Sequence, residues 1–374
     1  RRGALGRRAA VEALGQASER GCPEVVAAVA SRLADHDAAV RQAASEAVGR
    51  LVPRGDREVI AALAGLLDNP KPGVRESVLD TLAGVAEKGD QSVASLAVGR
   101  LADVAPAVRM AAVRTLACVA CQGDRAVVSA LASWLEDRDP CLQQAALRAL
   151  AQLADKADKR IVGAVAARLG GENPWQIRQT AASTLAALAQ RGDQMIIGTL
   201  AARLEDEDWP VRGAALEAVA RLAPRGDSDA IALMMASLQD CLPYVRCLAA
   251  DSLAELAPRG SSEAISALAE RVRPGVVEHP MVHKHAAAAL ERLGAGTAES
   301  WLQRLRDGGG PDQEGAAAVK SSTATPSVEA VERWEAEAAA PGGEAAAELA
   351  GEEAAEEPRG AQAAAAAAPS PAPG

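Results

Sequence analysis

The chain has 374 residues, and 49% of them are hydrophobic, yet it contains no Phe, one Tyr and five Trp. Ala, Leu and Val therefore supply the apolar mass, which favours thin, closely packed helices over a globular core rich in aromatic side chains. The net charge of −10 comes from the C-terminal tail, because residues 307–374 hold thirteen acidic and three basic residues and the remainder is balanced. A balanced body excludes the basic groove of a nucleic-acid-binding protein, and no apolar run is long enough to cross a membrane.

The first predicted element is a helix over residues 5–19. Its apolar spacing is that of the second helix in the repeats described next. We expect its partner helix to lie upstream, so that the first repeat is truncated.

From residue 21 onward the sequence repeats itself with a period of 34 residues. One glycine recurs in each period. A hydrophobic residue followed by Arg, which we call the marker, recurs with the same spacing. The glycines are Gly21, Gly55, Gly89, Gly123, Gly192, Gly226 and Gly260, and Ala157 takes their place in one unit. The markers are Val40-Arg41, Val74-Arg75, Val108-Arg109, Leu142-Gln143, Ile177-Arg178, Val211-Arg212 and Val245-Arg246.

Each unit is predicted to hold two helices. After the marker, apolar residues recur with helical spacing, as in Val40, Ala44, Val48 and Leu51, and the preceding segment predicts a shorter helix. Neither helix can bury its apolar stripe alone, so neighbouring units must stack. The predicted fold is all-α, an α-solenoid of about eight two-helix repeats over residues 1–306.

The tripeptide Arg-Gly-Asp occurs three times, at residues 54–56, 191–193 and 225–227. In a secreted protein it would suggest cell adhesion, but the repeat register predicts a helix stop followed by a helix start. The glycine ends the longer helix in the left-handed conformation, and the Asp caps the next helix. We expect the preceding cations in the last turn of the longer helix: Arg54, Lys88, Lys156, Arg191, Arg225 and Arg259. The predicted caps are Asp56, Asp90, Asp124, Asp193 and Asp227.

These units resemble the HEAT repeat family, in the short form known from phycobilisome lyases. That family carries an acidic residue between its two helices and an Arg six residues later. The matching pairs are Asp35/Arg41, Asp103/Arg109, Asp206/Arg212 and Asp240/Arg246, and the departures are Asn69/Arg75, Asp137/Gln143 and Glu172/Arg178. The resemblance implies a ladder of such pairs along the stack, weakened near Asn69 and Gln143, and long helices on the concave face.

The repeat pattern loosens towards the C-terminus. The eighth unit carries three extra residues, and His283 replaces its marker Arg. A short capping helix is predicted from Thr297 to about Leu305. Residues 307–374 are rich in Ala, Glu, Pro and Gly and are predicted to be a disordered acidic tail. Within it, residues 327–340 form either a short docking helix or a transiently helical stretch.

The residues that could carry chemistry favour structural roles. Cys118 and Cys121 have the spacing of a redox or zinc half-site, but no second pair exists. His279, His283 and His285 do not share one helix face. The His-Glu dipeptides of the HEAT-like deoxyhypusine hydroxylase are absent. We therefore expect no catalytic residue, metal or cofactor. The six Cys are expected to be reduced thiols of a cytoplasmic protein, a plastid location being the alternative.

Two surfaces are candidate partner sites. Trp175 and Trp209 precede the marker by two residues and Tyr244 by one, and they form either an aromatic ridge or packing over their own turns. The solvent-facing stripe of the longer helices supplies the remaining candidates, which are Glu46, Asp80, Arg114, Arg148, Glu217 and Asp251. We expect a monomeric, non-catalytic scaffold that binds another protein, and neither nucleic acid nor membrane. The alternative is a phycobilin lyase-like or chaperone-like protein acting on a pigment or cofactor protein, which rests on fold analogy alone.

Overall fold

A computed structural model describes residues 2–17, 22–273, 276 and 278–294. Every regular element within these residues is helical, and they contain seventeen α-helices. The all-α prediction is therefore confirmed. The predicted capping helix at 297–305, the tail at 307–374 and the segment 327–340 lie outside the described residues.

Long and short helices alternate along the chain. The long helices are α1 (Arg2–Ala17), α3 (Ala38–Leu51), α5 (Pro72–Val85), α7 (Pro106–Val119), α9 (Pro140–Leu153), α11 (Trp175–Leu188), α13 (Trp209–Leu222), α15 (Pro243–Leu256) and α17 (Pro280–Arg292). The short helices are α2 (Pro23–Ala30), α4 (Arg57–Ala64), α6 (Gln91–Arg100), α8 (Arg125–Ser133), α10 (Lys159–Ala167), α12 (Gln194–Ala201), α14 (Ser228–Ser237) and α16 (Ser262–Val272). Eight units, α2/α3 to α16/α17, therefore follow α1.

An Asp side chain caps the start of most short helices. The Asp56 carboxylate accepts the backbone N–H groups of Glu58 and Val59, both at 3.1 Å. Such a cap satisfies N–H groups that have no partner inside the helix. The same arrangement starts the short helices after Asp90, Asp124, Asp158, Asp193 and Asp227.

The turn glycine joins one unit to the next. Gly55 has a φ of +81°, and its N–H donates at 2.8 Å to the carbonyl of Val85, the last residue of the long helix in the following unit. Each turn therefore satisfies a helix-end carbonyl of its neighbour. The equivalent bonds are Gly89–Val119, Gly123–Leu153, Ala157–Leu188, Gly192–Leu222, Gly226–Leu256 and Gly260–Leu293.

The expected position of the turn cations was wrong. The long helix of the first unit ends at Leu51, and Arg54 lies three residues beyond it. The helix stops because Val52 adopts an extended conformation and buries its side chain in the core. Lys88, Lys156, Arg191, Arg225 and Arg259 follow their helices at the same interval.

The marker arginines link consecutive units. Arg212 donates from Nη1 to the backbone carbonyl of Asp206 in its own unit at 2.9 Å. Its Nε and Nη2 donate to the carboxylate of Asp240 in the next unit, at 2.8 and 3.1 Å. The side-chain pair therefore spans 28 residues, whereas the resemblance suggested partners six residues apart. Bidentate pairs of this kind are Arg7–Asp35, Arg75–Asp103, Arg178–Asp206 and Arg212–Asp240.

This ladder is interrupted at three junctions. Asn69 stands where Arg41 would find a carboxylate, and Arg41 Nε donates instead to the Gly73 carbonyl at 3.0 Å. The carboxylate that Arg109 meets in the next unit is that of Asp139, and the distance from Arg109 Nη2 to the Asp139 oxygen is 3.7 Å. The amide of Gln143 donates to the Asp137 carbonyl at 2.6 Å and carries no charge for the next unit.

The ladder continues into the eighth unit through a residue that was not predicted from the sequence. Arg246 Nη2 donates at 2.6 Å to Glu278, whose side chain is 4% exposed. Burial alone would raise the pKa of Glu278, but the hydrogen bond and charge of Arg246 lower it. Because this unit has three extra residues, the spacing in the sequence did not show that Glu278 corresponds to the acidic residues of the other units.

The two helix types form two layers around one continuous core that runs from Val11 to Leu293. Neighbouring long helices contact each other along their lengths, whereas neighbouring short helices meet at few points. The long helices therefore form the more closely spaced layer, and the concave curvature on their side stays a prediction. We call the solvent-facing side of this layer the inner surface.

Candidate partner-binding surface

The inner surface carries one solvent-facing residue per unit at the position six residues after the first marker residue. We call this set the inner stripe: Glu46, Asp80, Arg114, Arg148, Ser183, Glu217 and Asp251. Each member lies on a long helix, where the hydrophobic residues beside it point into the core. All six charged residues predicted for this surface are on the stripe and accessible to solvent.

Arg114 pairs with another stripe charge, and two further stripe residues have hydrogen-bonding or ion-pair partners on the long helices. Arg114 Nη2 lies 2.9 Å from the Asp80 carboxylate of the preceding unit, and His285 Nδ1 lies 2.8 Å from Asp251. Glu46 accepts a hydrogen bond from the Gln42 amide at 3.0 Å. One ion pair between neighbouring units, Arg114–Asp80, therefore lies on the stripe.

Arg148 and Glu217 are the stripe charges that a partner could use. Within the described part of the chain, neither forms a hydrogen bond or an ion pair with another side chain. Both remain exposed. Surface charges of this kind can steer a partner and select its orientation.

An aromatic pair lies beside Glu217. The rings of Trp209 and Tyr244 meet edge to face, with centroids 5.3 Å apart and an angle of 73° between planes. Both rings are half-buried and pack against the core. Gly213 makes room for this arrangement, since a Cβ at that position would lie 3.5 Å from the Tyr244 ring and 3.3 Å from Leu248.

Trp175 does not extend this pair. It begins α11 as Trp209 begins α13 and is half-buried. Among the described rings, Trp209 and Tyr244 are the pair in contact. The three-membered aromatic ridge considered from the sequence is thus a pair in the structure, with Trp175 one unit away.

The surroundings of the aromatic pair disfavour negative charge. Desolvation raises the pKa of the Glu217 carboxyl, although the charge of Arg221 lowers it. Burial raises the pKa of Tyr244, and the charge of Glu217 raises it further. Burial and the charge of Asp251 raise the pKa of Cys247 to about 12. A positively charged group placed here would relieve these costs.

Two of the histidines make local contacts. His279 caps α17 and accepts the Met281 N–H at 3.2 Å, while His285 pairs with Asp251. Cys118 lies near the end of α7, and Cys121 lies two residues beyond that helix. Among the described residues, no group of three His, Cys, Asp or Glu side chains could hold a metal ion.

Gly213 and Cys247 occupy the same repeat position, two residues after the first marker residue, which the sequence predicts to face solvent on the longer helices. The structure buries both residues. A glycine in the middle of a helix rich in Ala and Leu is a signal of close packing. What the sequence could not show is that Tyr244 of the next unit fills the space above Gly213.

The fold defines the class: a solenoid of stacked helix pairs. The family model of HEAT repeats matches residues 4–83, 94–186, 164–254 and 197–278. The chain therefore belongs to the HEAT repeat family. No curated protein sequence matches it.

The chain is similar to two solved structures at low sequence identity, and the first of these supports the fold. The X-ray structure of the YibA protein of Escherichia coli is 15% identical, with a TM-score of 0.52, and the match covers 71% of this chain and 91% of that chain. The crystal structure of an engineered protein is 20% identical, with a TM-score of 0.44, over 82% of this chain and 89% of that chain. None of the helices described here is long and apolar enough to cross a membrane.

Proposed function

We propose that this chain is a non-catalytic scaffold that binds another protein through the inner surface of its long helices, centred on Trp209, Tyr244 and Glu217. The observation that supports this most directly is the exposed carboxylate of Glu217, without an ion-pair partner among the described residues, whose charge acts on Tyr244 of an edge-to-face aromatic pair. A Lys or Arg side chain of the partner fits this arrangement.

A cationic side chain of the partner would interact favourably with both the aromatic rings and the carboxylate. Aromatic residues at a rigid surface are common binding hot spots, and a cation beside an aromatic ring gains up to about 2 kcal/mol when desolvated. The carboxylate of Glu217 would gain a partner for a charge that desolvation destabilises. Because Trp209, Tyr244 and Glu217 belong to adjacent helices, the rigid stack would hold them ready for binding.

Arg148 supplies a second contact of opposite sign on the same stripe. It is exposed and two units before Glu217, so roughly 20 Å separates the two positions at a helix spacing of about 10 Å. A partner segment that lies along the stack would present an acidic side chain to Arg148 and a basic one to Glu217. This fixed separation would set the direction in which the segment binds.

The test is affinity capture with the full chain, followed by mass spectrometry of the bound proteins. We expect a protein partner that is retained by the parent and lost from Tyr244→Ala and Glu217→Lys. Glu46→Lys is the matched control, because it makes the same change at the same repeat position in the first unit. Circular dichroism must show that all variants keep their helices.

The same experiment separates the scaffold from the lyase-like or chaperone-like alternative. A captured pigment protein that gains a covalent chromophore in the presence of this chain would support the alternative. Identical capture by the parent and both site variants would overturn the proposed surface. Arg148→Glu should also weaken capture, and more strongly than Arg114→Glu, since Arg114 is already paired with Asp80.

A further inference from the structure

A cleft rich in arginine lies where the seventh and eighth units meet. It encloses about 700 Å³ and is lined by Arg225, Arg259, Arg292, Glu255, Pro258 and Ala254. Glu255 lies 3.6 Å from Arg292 and neutralises one of the three guanidinium groups. Arg225 and Arg259 form no ion pair with another described residue. The cleft therefore carries two uncompensated positive charges.

The repeat structure does not require these arginines. The carbonyl at the end of α15 already accepts the Gly226 N–H at 2.8 Å, so no cation is needed to cap it. At the same repeat position Lys88 and Lys156 follow the acidic residues Glu87 and Asp155, whereas Arg225 and Arg259, like Arg54, follow prolines. No acidic residue therefore precedes the two cleft arginines in the chain.

We propose that this cleft binds an acidic segment of a protein through carboxylates spaced along an extended chain. Arg225 and Arg259 belong to consecutive units, about 10 Å apart. An extended chain covers that distance in about three residues, so Asp or Glu at every third position would meet one guanidinium each. The planar guanidinium group binds carboxylates in bidentate geometry. Partner capture of this type is one of the recurring modes of peptide recognition.

The cleft is separate from the surface of the proposed function, and the inference does not rest on it. Tyr244 lies at the start of α15 and Glu255 near its end, about 16 Å along the helix axis. Substitutions at one site can therefore be used as controls for the other. Loss of the inner-surface interaction would leave the cleft intact, and the reverse holds as well.

The experiment measures fluorescence anisotropy of labelled heptapeptides with the full chain at low salt. The probe is Glu-Gly-Ser-Glu-Gly-Ser-Glu, and its matched control replaces each Glu with Gln. We expect binding of the Glu peptide and a loss of affinity of about tenfold or more in Arg225→Gln/Arg259→Gln, as for removal of charged contacts at a rigid interface. Arg54→Gln, the same change at the same repeat position outside the cleft, should bind as the parent does.

Three results would overturn the proposal. The first is equal binding of the Gln peptide, and the second is unchanged affinity of the double variant while circular dichroism shows it folded. The third is displacement of the Glu peptide by inorganic phosphate at equal concentration, which would identify a phosphate site instead. Peptide binding by Tyr244→Ala, in contrast, should equal that of the parent, and this keeps the two sites distinguishable.

Discussion

The guanidinium of Arg178 and the carboxylate of Asp206 form a bidentate pair across 28 residues, with N–O distances of 3.0 and 2.6 Å. Their side chains are 5% and 3% exposed, so this is the most enclosed rung of the ladder. Arg178 also donates to the Asn173 carbonyl at 2.6 Å. One arginine thus ties its own turn to the turn of the following unit.

Removal of Arg178 should destabilise the stack strongly. Arg178→Ala leaves the buried Asp206 carboxylate without its cation, and breaking such a pair from one side costs about 3–5 kcal/mol. Urea unfolding followed by circular dichroism measures the change in the free energy of unfolding. Arg41→Ala is the control, because Asn69 stands where its carboxylate would be, and it should cost less. Equal losses in the two variants would show that the ladder pair adds nothing.

The acidic partners of the ladder predict a loss of stability in acid. The hydrogen bond from Arg7 lowers the pKa of Asp35 from 3.8 to about 2, although burial opposes it. A carboxyl whose folded pKa is lowered stabilises the fold fully above its unfolded pKa, and this contribution disappears as pH falls through the folded value. The pKa values of Asp103 and Glu278 are also lowered.

Asp35→Asn tests the sign of this effect. The parent should have the higher melting temperature at pH 7, and the difference between parent and variant should shrink between about pH 4 and pH 2. Thermal unfolding at a series of pH values measures it. A difference that stays constant down to pH 2 would contradict the lowered pKa.

Much of this fold follows from local signals in the sequence, but its connections between units do not. The 34-residue period, the left-handed turn glycines and the Asp caps are properties of short segments, so their positions were predictable. Which carboxylate each marker Arg meets depends on how units stack, and only the structure shows that Arg212 pairs with Asp240 instead of Asp206. The Trp209–Tyr244 contact likewise depends on the space above Gly213 in a neighbouring helix.

The turn that carries Ala157 should be improved by glycine. Ala157 has a φ of +64° where the other turns have glycine, a conformation that costs an L-residue about 1–2 kcal/mol. After allowing for the greater freedom of glycine in the unfolded chain, Ala157→Gly should stabilise by about 0.5–1 kcal/mol. Gly192→Ala is the reverse experiment. Its new Cβ would not clash with a neighbour, because the nearest atom belongs to Pro224 at 3.7 Å. The two variants should shift the melting temperature in opposite directions.

Cys247 should be the least reactive thiol of the described chain. Burial raises its pKa to about 12, and the thiolate is the nucleophilic form. Cys118, Cys121, Cys141 and Cys241 are exposed. Iodoacetamide at pH 8, followed by peptide mass spectrometry, should label these four and spare Cys247 until urea is added. Labelling of native Cys247 at the rate of Cys118 would contradict the buried position.

The ladder lacks a charge pair between the first two full units, and adding one should stabilise the protein. Asn69 already accepts the Lys71 N–H at 3.0 Å, as Asp103 accepts the Ala105 N–H at 2.9 Å. The turn therefore has the geometry that the ladder uses elsewhere. Asn69→Asp would place a carboxylate 28 residues after Arg41, the interval of the Arg75–Asp103 pair.

We expect Asn69→Asp to raise the free energy of unfolding by about 1 kcal/mol, because a charge-assisted hydrogen bond contributes roughly 1.5–3 kcal/mol before desolvation. Arg41→Gln provides the control, since its uncharged amide offers the new carboxylate no cation. A double-mutant cycle with Asn69→Asp, Arg41→Gln and the combined variant isolates the pair. The coupling energy should be favourable and should fall as pH drops below the pKa of the new carboxyl. A coupling of zero would mean that the turn around Asn69 cannot bring its side chain to Arg41, and that the first junction of the stack differs in geometry from the second.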